Sequence, residues 1–565
     1  MAVLSKTRTN SGISAYSGPW DKSAVIHLLR RVHFGVTKEN IDYFVNLTQA
    51  EAINEVLDID YTIPSPPINN YNDNNPDPNV NPGESWVNDY NSQLNNDRRR
   101  SLKSWWVGQI VNHDRTIREK MVLFWHNHFS TQSLVYGWAN FGYQNNQLLR
   151  SKCLKNFKSL VKDVTLDPAM LVFLNGERNS KTAPDENYSR ELQELFTLGK
   201  GPESQYTEAD VIAGAKVLTG WRINRTTGDV YFQSTRHDTS DKEFSAYYNN
   251  YTVTGQSGQA GINELDDMLN MIFAQNEVAN HIVRKLYRWF IYYEIDDNTE
   301  SNVIIPLANI FRNSGYEIKP VLEALFNSEH FFDTANRGAL IKSPTDFLLG
   351  LTRTFGIPIP ESNDYVNQYA FWNRLQSSAA LMQQELADPP SVSGWPAYYQ
   401  IPQFHELWIN SDTISNRNKV SDTLAVNGYI IGTSRLKIDP LHFTKKFNTA
   451  SDPNLLINDF LEIMHTLDVD QNQREHMKSI LLSGQINDDY WTVAWNAYMS
   501  DPDNTTKANI ISSRLSALFK YFTSSSIISP ESAFLVSGLL SVILTILLSC
   551  SYKTDLDMVL LNFLF

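Results

Sequence analysis

Cysteine is almost missing from this chain of 565 residues: Cys153 and Cys550 are the full complement. Two thiols cannot build a disulfide framework or a thiolate zinc site. Cations are scarce too, 48 Lys and Arg against 62 Asp and Glu, for a net charge of −14. Such a chain repels a phosphate backbone unless its basic residues are sharply segregated, which argues against a nucleic-acid binder. The sequence has no Walker loop, no dinucleotide glycine fingerprint, no H-E-x-x-H helix and no Gly-x-Ser-x-Gly elbow. Met1 to Trp20 contain no apolar run long enough for a signal-peptide core. No signal peptide and a cytoplasmic start are therefore the expectation.

What is present is the material of a packed body. Hydrophobic residues make up 42% and aromatic residues 12%, with 13 Trp, which excludes a disordered chain. Apolar residues recur at helical spacing over most of the length. Met121, Phe124, Trp125 and His128, for example, fall at i, i+3, i+4 and i+7. The fold class this predicts is mainly α, a multi-helix globular bundle. Residues 221–254 break the pattern and read as a small irregular insertion with a short hairpin. Four regions follow: an N-terminal helical segment over 1–60, a Pro- and Asn-rich loop or linker over 61–97, a main helical body over 98–521, and an apolar tail over 522–565. Within the tail, Ser532 to Tyr552 is a run of 21 uncharged residues, the length of a bilayer-spanning helix of about 20. It reads as an apolar helix and a candidate membrane anchor, with the body on the cytoplasmic side; a buried terminal helix is the alternative.

Four polar blocks could carry chemistry. His126 and His128 flank Asn127 at the end of a core helix, and imidazole is the commonest metal ligand and a usable base. They could share a metal only if the helix ends there, which the polar Ser130-Thr131-Gln132-Ser133 just after allows. Glu191 and Glu194 lie at i and i+3, so their carboxylates could hold a cation or divide acid and base roles; Glu186 and Arg190 are spaced for an ion pair. His237 and Asp238, in the irregular stretch, could supply one metal ligand each, or Asp238 could cap its own turn. Trp395, in a rigid Pro- and Gly-rich segment, could stack on a flat ligand or plug the core edge.

The order of these blocks resembles a known bacterial family. His27-Leu28-Leu29-Arg30-Arg31 with Phe34-Gly35, Arg118-Glu119-Lys120-Met121, Trp125 to Phe129, Glu186 to Leu192, Leu218-Thr219-Gly220-Trp221, Arg236-His237-Asp238 and Gly394-Trp395-Pro396 are similar to the family catalogued as domain of unknown function 1800. The resemblance runs from about Trp20 to Tyr521 and implies a mainly helical bacterial protein. Members are often encoded beside a sulfatase-like partner, and many are exported. Two functional expectations follow. One is a metal-assisted hydrolase in which His126, His128, His237 and Asp238 hold a divalent metal while Glu191 and Glu194 do acid–base work. The other is a non-catalytic binding or assembly module acting with a cell-envelope partner.

Overall fold

Short polar side chains start the helices where the apolar periodicity begins. The computed structural model, which describes residues 8–465 and 469–525, shows Asp21, Thr37 and Thr48 accepting from backbone N–H groups at such starts, while the Asp210 carboxylate accepts from the Thr207 N–H at 2.6 Å. Thr207 and Asp210 close the capping box their spacing predicts. Among the described residues the architecture is mainly helical, with three two-stranded antiparallel hairpins. The helices that matter below are α1 (Lys22–Val32), α2 (Arg118–His128), α3 (Asn276–Phe290), α4 (Pro344–Thr354), α5 (Pro453–Met464) and α6 (Thr505–Ser525).

Pro184 to Gly199 carries Pro at the first turn and Gly at the end, the pattern of a single helix, but the helix formed is shorter and changes pitch. Asp185 accepts from the Asn187 N–H at 3.0 Å, so the α-helix starts at Asn187, and from Leu192 to Thr197 it widens into a π-helix. The irregular insertion holds two hairpins. In one, β1 (Trp221–Ile223) pairs with β2 (Val230–Phe232); in the other, β3 (Lys242–Glu243) pairs with β4 (Thr252–Val253). A third, β5 (Tyr429–Ile431) with β6 (Ser434–Leu436), was not expected from the sequence.

The Pro- and Asn-rich stretch is irregular, as its composition requires, yet tightly anchored. Trp86 is fully buried and its indole N–H donates to Ser101 Oγ at 3.2 Å. The buried Arg98 guanidinium pairs with Asp77 at 2.8 Å and with Asp89 at 2.5 Å. One contiguous apolar core runs from Ala24 to Phe522. At its C-terminal end the rings of Phe443, Phe460 and Phe519 pack together, and Phe519 meets Phe355 just beyond α4. Among the described residues no helix is long and apolar enough to cross a membrane. The apolar run 532–552 lies outside the described residues.

One close approach positions the site. After α1 the chain turns at Gly35, with φ at +79°, against the backbone of α4; a Cβ there would come within 2.4 Å of the Gly350 carbonyl oxygen. Only glycine meets both the left-handed φ and the missing space. The end of α1, with Arg30 and Arg31 in its last turn, is thereby fixed beside the start of α4.

Candidate functional site

The histidines and acids singled out from the sequence are each held by their own neighbours. α2 runs through His128, so imidazoles two residues apart point to different sides. His126 is buried between the rings of Trp106 and Trp395, 5.0 and 5.8 Å away. Its Nε2 has no protein partner and borders a cavity of about 10 Å³ that Trp106 and Asn146 also line, the room of one water. Burial drives its pKa down to about 4.

His128 faces the opposite way. Its Nε2 donates to the Phe196 carbonyl at 3.1 Å, which leaves Nδ1 to accept from Lys285 Nζ at 3.0 Å. Lys285 and His281 both donate to the Leu195 carbonyl, each at 3.2 Å. Leu195 and Phe196 lie in the last turn of their helix, where carbonyls have no intrahelical partner, and the three side chains satisfy them. Burial, then Arg288, lowers Lys285 to about 7.

Glu191 and Glu194 do interact: burial first and then Glu194 raise the Glu191 pKa. Glu194, however, is paired with Lys200, and Arg190 with Glu186 and Glu208. His237 Nε2 lies 3.0 Å from Glu264 Oε1, and the other Glu264 oxygen takes the buried Lys242 amine. Asp238 caps its own turn, accepting from the Ser240 N–H at 2.9 Å. Trp395 is 1% exposed and plugs the core. Among the described residues no three His, Cys, Asp or Glu side chains are placed to hold one metal ion. Chemistry built on a shared cluster of these residues has no geometric basis here.

A different set of residues does converge. α1 brings His27, Arg30 and Arg31; α2 brings Lys120; α3 brings Arg288; Lys342 and Asp346 flank and open α4. Together with the segment Ala397–Trp408 they enclose a cavity of about 110 Å³. Five cations thus face one carboxylate, in a chain whose net charge is −14. Asp346 is paired with Lys120 at 2.9 Å, and its N–H donates to Ser343 Oγ at the helix start. Negative charge in a helix's first turn is favourable, so one acid is what the α4 start itself explains. Arg31 donates to the Asn336 carbonyl at 2.6 Å and Arg288 to the Tyr293 carbonyl at 3.1 Å. The Lys342 carbonyl accepts from Arg417 Nη2 at 2.9 Å, while its amine makes no hydrogen bond or ion pair with a described residue.

Aromatic side chains complete the wall. Trp289 packs on Tyr398 at 4.4 Å and Tyr398 on Trp408 at 5.6 Å. Phe404 holds a strained φ of +44°, and the Arg288 guanidinium lies 5.4 Å from its ring centre. His405, 6% exposed, accepts from the Ile341 N–H at Nδ1, at 3.2 Å. Its proton therefore sits on Nε2, a buried donor with no protein partner. Burial, followed by Arg31 and Arg8, lowers its pKa to about 4, so the ring is a neutral donor.

The electrostatics record the imbalance. Arg30 and Arg31 are lowered to about 10, by burial first; for Arg30 the neighbouring Arg31 adds to this. Lys342 falls to about 8: burial and the charges of Arg30, Lys120 and Arg417 outweigh Asp346. The Lys342 side chain itself is exposed at the recess. Like charge gathered at short range without counter-charge is costly. An anion in the cavity would relieve it.

Sequence reasoning passed over these residues. Arg30 and Arg31 sit in the last turn of an amphipathic helix, where basic residues are ordinary dipole partners, and Lys342 and His405 belong to no recognisable spacing. The one signal was that the blocks His27 to Arg31 and Arg118 to Met121 both reach the cavity.

Fold and site define a mainly helical protein with a cation-lined recess. The chain belongs to the family described as protein of unknown function (DUF1800), whose sequence model matches residues 27–513. No curated protein and no solved structure matches it.

Proposed function

We propose that the protein is a binding module for a small anionic ligand, held in the cavity between α1, α2, α3 and α4. The observation that carries this reading is the unmatched charge: Arg30, Arg31, Lys120, Arg288 and Lys342 against Asp346 alone. Charge-assisted hydrogen bonds are the strong ones, and Arg forks suit oxyanions. The buried Nε2–H of His405 adds an uncharged donor, and the rings of Trp289, Tyr398 and Trp408 limit access of water. The metal-assisted hydrolase is the weaker reading, because its six residues serve separate local networks.

Calorimetric titration of the full chain with inorganic phosphate tests the proposal. Saturable binding is expected in the wild type, and Arg31→Ala should weaken it about tenfold or more, the loss of one charge-assisted contact. Equal affinity in wild type and Arg31→Ala would remove the cavity from consideration.

A further inference from the structure

The cavity holds the head of a ligand rather than a whole one. Its volume of about 110 Å³ falls well short of the roughly 300 Å³ at which small-molecule pockets begin. Beside it lies a recess of about 670 Å³, and His27 and Arg30 line both. Arg30 marks the junction. Its Nη2 donates to the Glu462, Ile463 and His465 carbonyls at the end of α5, at 3.1, 2.9 and 2.6 Å, and no described carboxylate pairs with it. Lys22, Ser23, Arg337 and Asn458 form the polar wall of the larger recess, with Arg337 Nη1 donating to Ser23 Oγ at 2.8 Å.

Resting on the anion-binding reading above, we propose that the ligand is a phosphate monoester of a polar alcohol. Its phosphoryl group sits among Arg31, Lys120, Lys342 and His405, and its hydroxylated body crosses Arg30 into the larger recess. The charge count favours this class. A phosphate monoester carries about −1.5 to −2 at neutral pH, whereas a carboxylate or a sulfate ester brings a single charge to five cations. Donors arriving from α1, α2, the α4 start and His405 approach from several sides, which suits a tetrahedral oxyanion better than a planar carboxylate. The wall of the recess offers amide, hydroxyl, guanidinium and ammonium groups with the Glu462 carboxylate, and its only rings among the described residues are the His27 and His465 imidazoles, which suits a hydroxylated body.

The test is titration of the full chain with inorganic phosphate, glucose 6-phosphate and glucose 6-sulfate, in the wild type and in Arg337→Ala and Asn458→Ala, each first shown to melt like the wild type. Glucose 6-phosphate should bind at least tenfold more tightly than either inorganic phosphate or glucose 6-sulfate. Both variants should lose most of that gain while affinity for inorganic phosphate stays within threefold. Phosphate binding with no gain for the ester would overturn this inference and leave the anion site standing. A preference for the sulfate ester would overturn the ligand class, and a gain retained in both variants would overturn the placement of the body. No binding of any of the three would overturn both readings.

Discussion

At the scale of single residues the two basic networks behave differently, and substitution separates them. His128 closes a satisfied network: truncation to Ala leaves the Phe196 carbonyl unpaired and removes one of the two acceptors of the Lys285 amine, beside a hole. His128→Ala should cost about 2–4 kcal/mol of stability, seen as a lower denaturation midpoint. Lys342 closes nothing. Lys342→Met should leave the midpoint within about 0.5 kcal/mol of wild type or raise it, while phosphate affinity falls several-fold; a large loss of stability would show that the amine is structural.

The pH dependence follows from the same two lysines. A base whose pKa is lowered in the fold is penalised while charged, so the unfolded chain binds more protons between the folded value and the ordinary lysine value, and stability rises with pH across that interval. With Lys285 at about 7 and Lys342 at about 8, the melting temperature should rise from pH 7 to pH 9, and Lys285→Met should flatten the rise. Anion binding should move the other way. As Lys342 loses its proton above about 8, phosphate affinity should be several-fold weaker at pH 9.5 than at pH 7, measured at constant ionic strength. A flat affinity profile would mean that Lys342 does not contact the ion.

At the scale of elements, the two hairpins between 221 and 254 are too short to hold themselves, since an isolated pair is marginal in water. A buried polar core fastens them: Glu264 takes Lys242 from β3, the His237 imidazole and the Gln256 N–H. Lys242→Met leaves a buried carboxylate without its cation and should destabilise by about 3 kcal/mol or more. Hydrogen exchange should then quicken over residues 221–257 before the rest of the chain. The charge pattern of this stretch was visible in the sequence, and Asp238 was legible as a turn cap. The role of His237 was not, because its partner Glu264 lies 27 residues away and no local rule links them. The π-helical turn at Leu192–Thr197 was equally hidden: Glu191 and Glu194 have ideal α spacing, and the groups that satisfy its last carbonyls come from α2 and α3.

At the scale of the whole molecule, one contiguous core from Ala24 to Phe522 joins regions that composition separates. Calorimetry should accordingly give a single cooperative transition, with calorimetric and van't Hoff enthalpies in agreement; a separate early transition confined to α5 and α6 would show that the C-terminal helices fold alone. The helical class, the caps at Thr37 and Thr207, the hairpin-bearing insertion and the family blocks were all readable in the linear sequence, because capping and amphipathic periodicity are local and act within a few residues. The binding recess was not. Its charges come from positions 30, 31, 120, 288 and 342, each ordinary where it stands in the chain. Only the close packing of α1 on α4 at Gly35 and Gly350 brings like charges to one place, because electrostatic imbalance is a property of distance in space and leaves no mark on sequence spacing.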